Sequence, residues 1–231
     1  MKKLVFLTGA GVSAESGIST FRDSDGLWEK HPVMEVASAD GFRRNPELVH
    51  QFYNARRHQL LNTQPNDAHL IIKDLEKDFE VFVITQNVDD LHERAGSENV
   101  LHLHGELMKV RSIKHPERVY TLEYPNLDTC ADTVDEYGDL IRPHIVFFQE
   151  DVPMMIPATR IVKDADIAVI IGTSLVVHPA ASLLYYAKPD TPIYYIDPKP
   201  SVVDNENVNY IAKVATEGMR FLAEKLRNEY I

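Results

Sequence analysis

Cysteine is almost missing from this chain: Cys130 is the only one among 231 residues. A single thiol cannot close an intramolecular disulfide and cannot furnish a four-thiolate zinc site. Long apolar runs are missing as well. No stretch reaches the roughly 20 apolar residues of a membrane span. The basic start Met1-Lys2-Lys3 leads into an apolar run, Leu4 to Leu7, which is too short for a signal peptide before Gly9-Ala10-Gly11 interrupts it. Positive charge is in deficit, with 24 Lys and Arg against 35 Asp and Glu and a net charge of −11. Phosphate backbones are held by clustered Lys and Arg, and the short basic groups here form no long stripe. These absences predict a cytoplasmic protein with no membrane span and no nucleic-acid partner. A lysine-bearing peptide is the more natural guest for an acidic chain. Internal repeats and low-complexity segments are absent, and nothing in the sequence sets an oligomeric state.

What is present reads as an ordinary globular chain, 44% hydrophobic and 26% charged. Short runs rich in Val, Ile, Phe and Tyr at 3–8, 79–85, 100–103, 165–171 and 192–196 have the length and bounding residues of buried strands. Helical patterns lie at 66–77, 179–188 and 216–230; in the last, Met219, Leu222, Ala223 and Leu226 share a face. This alternation predicts an α/β fold, a Rossmann-like parallel sheet with helices on both faces. Two stretches break the pattern. Residues 25–65 contain no convincing strand but do contain a helix pattern at 46–62, opened by Asn45-Pro46. Residues 108–141 are loose and polar. Together they are expected to form a small lobe, leaving 1–24, 66–107 and 142–231 as the sheet domain. A cleft between lobes is a common ligand site.

Four clusters carry chemistry. The first strand runs into Gly9-Ala10-Gly11-Val12-Ser13-Ala14, a G-x-G-x-x-A turn whose glycines let the backbone approach a pyrophosphate, with a following helix to offer its N–H groups. Alone it is weak, because glycines in a strand-to-helix turn have an ordinary structural reading about as often. The ribose-binding acid of a dinucleotide fold is not found about 20 residues later; Asp197, ending the 192–196 strand, takes its place. The second cluster, Gln86-Asn87-Val88-Asp89, sits where a strand ends, the edge at which open α/β sheets bind ligands. Each side chain singly could be a cap or a turn residue. In the third, His102-Leu103-His104-Gly105, strand alternation sends both histidines to one face, and Gly105 is expected to open space beside His104. A two-histidine metal site is the rival reading, without an evident third ligand. The fourth, Gly172-Thr173-Ser174, follows a very apolar strand and suits a phosphate or ribose.

In this order the four clusters resemble the sirtuin family of NAD-dependent protein deacylases. The block from Gly9 to Arg22 (GAGVSAESGISTFR) is similar to the family's most diagnostic segment, and the other three follow at family-like spacing over nearly the whole chain. Phe52-Tyr53-Asn54-Ala55-Arg56-Arg57, His92-Glu93-Arg94-Ala95-Gly96 and His104-Gly105-Glu106-Leu107 look closest to the bacterial class III members, which act on acidic acyl groups as well as acetyl. The resemblance implies NAD as cofactor and acylated lysine proteins as substrates. Nicotinamide and O-acyl-ADP-ribose are then the products. It implies catalytic roles for His104 as base and for Asn87 and Asp89. Cofactor contacts are implied for Gly9, Ala10, Gly11, Gln86, Val88, Gly172, Thr173, Ser174 and Asp197, with Phe21 and Arg22 on a covering loop. Acyl-lysine is expected to add a strand along 144–148, against Val146, Phe147 and Phe148, with Tyr53 and Arg56 reading an acyl carboxylate.

Three departures from the family accompany these expectations. Gln149 stands where the family has glycine, and Asp197 where asparagine is usual. The family's structural zinc uses four cysteines in the small lobe, but Ser112 stands near the first position and Cys130 is alone. Neither zinc nor another metal is expected, since nothing in the spacing of His115, Asp128 and Asp132 recommends them as ligands. Packing by Val110, Ile113, Val119, Leu122, Tyr124 and Tyr137 is expected to hold the lobe instead. The competing readings are an NAD glycohydrolase or ADP-ribosyltransferase, distinguished by nicotinamide release without acylated peptide, and an NAD-sensing module without turnover.

Overall fold

Residues 1–18, 27–28, 31–175 and 178–231 are described by the computed structural model. The chain begins with β1 (Lys3–Thr8) and reaches a two-residue hairpin, β2 (Leu27–Trp28) and β3 (His31–Pro32). Helices α1 (Val33–Val36), α2 (Ala39–Arg44), α3 (Pro46–Leu61) and α4 (Asp67–Asp74) follow, then β4 (Glu80–Thr85), α5 (Leu91–Arg94) and β5 (Val100–His102). Strands β6 (Gly105–Ser112), β7 (Val119–Thr121) and β8 (Ile141–Ile145) come next. Helix α6 (Met155–Lys163), strands β9 (Ile167–Ile171), β10 (Ile193–Ile196) and β11 (Val208–Ile211), and α7 (Ala215–Tyr230) complete the chain.

The main sheet has the order β11-β10-β9-β1-β4-β5 and every pairing in it is parallel. This is the Rossmann order, with its reversal between β1 and β9. β9, Ile-Ala-Val-Ile-Ile, is buried at every position, as a central parallel strand covered on both faces must be. On one face Leu4, Phe6, Val169 and Ile196 pack against Ile72 of α4 and Met219, Leu222 and Leu226 of α7. On the other, Val5, Leu7, Ile170 and Tyr195 pack against Ala158 and Val162 of α6 and Leu183. Cutting Leu222 back to alanine would leave a cavity costing about 2–5 kcal/mol.

Several local expectations differ from what is found. The glycine turn opens no α-helix; two 3₁₀ turns, Ala10–Val12 and Ala14–Ser16, follow it. Ala180–Tyr186 is also 3₁₀ in place of the α-helix predicted at 179–188. The polar stretch after 107 holds a three-stranded antiparallel sheet, β7-β6-β8, and the sequence-drawn divisions at 107/108 and 141/142 fall within β6 and β8. The pattern of β6 was obscured by a register shift between Gly105 and Val110, which breaks the two-residue alternation.

In the 108–141 part of the small lobe, most of the residues expected to pack do not. Val110 is buried, but Ile113, Val119, Tyr124 and Tyr137 are exposed. Polar contacts do the holding: Arg118 pairs with Asp135 and Asp139, and its guanidinium lies 4.6 Å from the Tyr137 ring centroid. The physical reason is size: within 108–141 the buried apolar side chains are few, among them Val110, Leu127 and Ile141.

Candidate active site

A cleft of about 840 Å³ opens where the carboxyl ends of β1, β4 and β9 face a third apolar cluster, in which Phe52, Tyr53 and Leu60 of α3 pack with Leu107, Ile145 and Phe147. Every site residue named from the sequence that the structure describes lines it; Phe21 and Arg22 lie outside the described residues.

The glycines serve close approach. An added Cβ on Gly11 would stand 2.5 Å from the Gly172 Cα, so the turns after β1 and β9 touch backbone to backbone at the reversal of strand order. The Gly9 N–H donates to the Ile171 carbonyl at 3.0 Å and the Gly11 N–H to that of Gly172 at 2.8 Å. Thr173 then accepts from Gln86 Nε2 at 3.1 Å, joining the fourth cluster to the second.

Three successive carbonyls of the 86–88 loop are held from residues 102–107, at the junction of β5 and β6. His104 Nδ1–H donates to the Gln86 carbonyl (3.0 Å), His102 Nδ1–H to that of Asn87 (2.9 Å) and the Leu107 N–H to that of Val88 (2.7 Å). Both histidine rings thus reach one loop, as alternation requires. Their electrostatics differ. Burial lowers the His104 pKa, partly opposed by its bond to Gln86, so the ring is neutral and Nε2 keeps its lone pair. Burial also acts against charge on His102, but Glu93, 2.7 Å from Nε2, outweighs it and raises that pKa. His102 therefore holds the loop as a double donor, while His104 keeps a free ring nitrogen. Gly105 adopts φ 85°, and a Cβ there would sit 2.0 Å from the His144 carbonyl oxygen. The glycine is needed for this approach of β8, not to open space beside His104.

Ser13 was unassigned from the sequence, although it stands inside the glycine motif. Its hydroxyl donates to Asp89 Oδ2 at 3.1 Å and accepts from Asn87 Nδ2 at 3.2 Å, with His69 Nε2 at 3.5 Å. One donor and two lone pairs are all a hydroxyl has, so Ser13 locks both side chains. Burial raises the Asp89 pKa to about 6 against the opposing bonds from the Leu91 N–H and Ser13. No single-residue signal marks such a hub; it exists only once β1 and β4 are side by side.

Toward the small lobe, the buried Tyr53 hydroxyl has no hydrogen-bond partner among the described residues, and Tyr53 lines the same cleft as Arg56, whose guanidinium lies over the Phe52 ring. Much of the main chain along 144–148 is already bonded. The Val146 N–H donates to His104, the Phe148 N–H to Ala37, and the Phe148 carbonyl accepts from Ala39. The segment expected to receive an added strand is thus partly filled by the chain itself. Gln149 adopts φ 76°, the left-handed conformation that glycine tolerates better, and its amide clasps Asp40: Nε2 donates to the carboxylate (2.7 Å) and Oε1 accepts from the Asp40 N–H (3.1 Å). Among the described residues, no three His, Cys, Asp or Glu side chains gather as metal ligands.

A dinucleotide fits this cleft. Its volume lies in the range of cofactor pockets. The glycine turns meet at the switch point, and Asp197 and Ser174 line the same cleft as the buried Asn87 and Asp89. By class the protein is an α/β dinucleotide-binding enzyme. The Sir2 family model matches residues 9–179, and the chain belongs to the Sir2 family. Over 228 residues it is 53% identical to an NAD-dependent protein deacylase of Helicobacter pylori, covering 98% of both chains. A protein of the same description from Bacteroides thetaiotaomicron is 52% identical over 230 residues, again with 98% of each covered. Among solved structures, a Sir2 homologue in complex with NAD superposes with a TM-score of 0.88 at 41% identity, over 98% of this chain and 90% of that one.

Proposed function

We propose that the chain is an NAD-dependent protein lysine deacylase that removes acetyl and also succinyl or malonyl groups, with His104 as its base. The observation that carries this is the His104–Gln86 bond, which fixes the tautomer and leaves Nε2 unprotonated beside a cleft shaped for a dinucleotide. Bound NAD supplies an electrophilic C1′ on its nicotinamide ribose and the neighbouring ribose hydroxyls. His104 takes a hydroxyl proton at Nε2, and a neutral, partly buried imidazole is suited to that transfer. Asn87 and Asp89, locked by Ser13, hold the nicotinamide ribose and carboxamide; fixed positioning of this kind lowers the barrier without further reorganisation. Gln86 orients the hydroxyl beside the base. Tyr53 and Arg56 offer a phenol and a guanidinium to an acyl carboxylate, and the unsatisfied Tyr53 hydroxyl supports a polar guest there. Val146, Phe147 and Phe148 meet the peptide chiefly through side chains. The cytoplasm is the compartment that suits a chain with one cysteine and an NAD-consuming reaction.

The test is to incubate acetyl- and succinyl-lysine peptides with the protein and NAD, then detect free lysine and O-acyl-ADP-ribose by mass spectrometry. Unchanged peptide mass with both substrates would refute the proposal.

A further inference from the structure

Helix α3 has two working faces, and only one belongs to the cleft. Tyr53, Arg56 and Leu60 line the cavity, while another stripe, Glu47, His50, Asn54, Arg57 and His58, grips residues 127–131. Spacings of three, four, three and one place this stripe along a single side of the helix. Asn54 pairs with the main chain of Thr129 in both directions, donating from Nδ2 to its carbonyl (2.8 Å) and accepting its N–H (3.1 Å). His50 Nδ1 meets the Thr129 hydroxyl at 2.7 Å, and the Ala131 N–H donates to Glu47 at 3.0 Å. Arg57 is wholly buried. Its Nε donates to the Leu107 carbonyl (2.9 Å), and Nη1 donates to Asn54 (2.7 Å) and to the Leu127 carbonyl (3.3 Å). One guanidinium thereby ties α3, β6 and the 127–131 loop together, with no carboxylate paired to it among the described residues. Nη2 is buried without a hydrogen-bond partner among the described residues, so the cation is held through Nε and Nη1 alone, and such networks hold geometry more than they add stability.

We propose that Arg57, Asn54 and Thr129 are positioning residues for acyl selectivity: the 127–131 loop, clamped along the back of α3, sets the seat from which Tyr53 and Arg56 face the acyl group. This rests on the reading of Tyr53 and Arg56 given above. The clamp occupies the lobe that holds Cys130, and its polar side chains fix the helix there. Leverage is short, because Asn54 and Arg57 are each the direct neighbour of a cleft residue on the same helix. A displacement near 1 Å at a reacting site costs up to about a hundredfold.

The experiment compares kcat and KM on succinyl- and acetyl-lysine peptides for wild type, Arg57→Met, Arg57→Lys and the milder Thr129→Val, with Arg56→Met alongside. Trp28 is the chain's one tryptophan, and its ring lies 5.0 Å from Phe52 and 6.2 Å from Tyr53, so its emission reports the seat of α3 independently of catalysis. We expect Arg57→Met and Thr129→Val to raise the succinyl KM roughly tenfold, part of what a 1 Å shift can cost. Acetyl turnover should stay within about twofold, Trp28 emission should shift, and Arg57→Lys should restore part of the difference. Parallel losses on both substrates, or folded variants with unshifted emission and an unchanged succinyl-to-acetyl ratio, would overturn the proposal. If Arg56→Met leaves the ratio untouched, the reading of Arg56 itself fails. Trp28 emission then still decides the seat: a shift in Thr129→Val supports the clamp and its absence refutes it.

Discussion

His104 Nδ1 lies 3.0 Å from the Gln86 carbonyl oxygen, and this contact determines which nitrogen of the ring can act. An N–H committed to a carbonyl leaves the other nitrogen with its lone pair. His104→Ala should lower deacylation by about 10²–10⁴-fold, the usual contribution of a general base. NAD affinity should change little, because the base acts after the cofactor is seated. Steady-state kinetics and calorimetric NAD titration check the two parts. A variant retaining more than roughly a tenth of wild-type turnover removes His104 from the role.

Asp89 should be a destabilising group at neutral pH. Burial holds its carboxyl at about 6, against the ordinary aspartate value of 3.8 in an unfolded chain. Between these values the folded protein keeps a proton that the unfolded chain has lost, so stability falls as pH rises through that window, and the deficit is complete above about pH 6. At 1.36 kcal/mol per pKa unit the deficit is on the order of 2–3 kcal/mol. Asp89→Asn should therefore raise Tm at pH 7.5 while impairing turnover, and the gain should vanish near pH 3.5. Thermal denaturation at the two pH values tests this; a lowered Tm at pH 7.5 would show that the charged form is satisfied in the fold.

Acyl selectivity should depend on Tyr53 and Arg56. A hydrogen bond to a charged group contributes about 1.5–3 kcal/mol, so Arg56→Met should lower kcat/KM for succinyl-lysine by roughly ten- to a hundredfold. Acetyl-lysine carries no carboxylate and should be affected far less, with Tyr53→Phe showing the same bias more weakly. Equal losses on the two substrates would mean that these residues support the helix without reading the acyl group.

Chelation should leave the fold intact. Purified protein should hold less than stoichiometric zinc and keep its Tm in strong chelator, because the small lobe is tied by Arg118 to Asp135 and Asp139 and by the α3 clamp. Arg118→Met should speed hydrogen exchange at the amides of β7 ahead of those in the main sheet. One tightly held zinc per chain in elemental analysis would contradict this.

The sheet was readable because β1, β4 and β9 are near-continuous apolar runs, the only pattern a strand buried on both faces can have. The cleft residues were readable because they stand at strand ends, where such sheets bind ligands. β6 was not readable, since its bulge breaks alternation and Lys109 and Arg111 interrupt its apolar positions. β11, Val-Asn-Tyr-Ile, is an edge strand with two exposed residues and carries too little signal. Ser13 and the Arg57 clamp were hidden for another reason: each joins residues more than 50 positions apart, and their meaning lies in the meeting.

The most direct test of NAD-dependent deacylation is the release of nicotinamide from NAD, followed with and without an acylated lysine peptide. If His104, Asn87 and Asp89 serve acyl transfer, release should be negligible without the peptide and should match free lysine one to one when it is present. Nicotinamide released at the same rate without any acylated peptide would make the chain an NAD glycohydrolase and contradict the account.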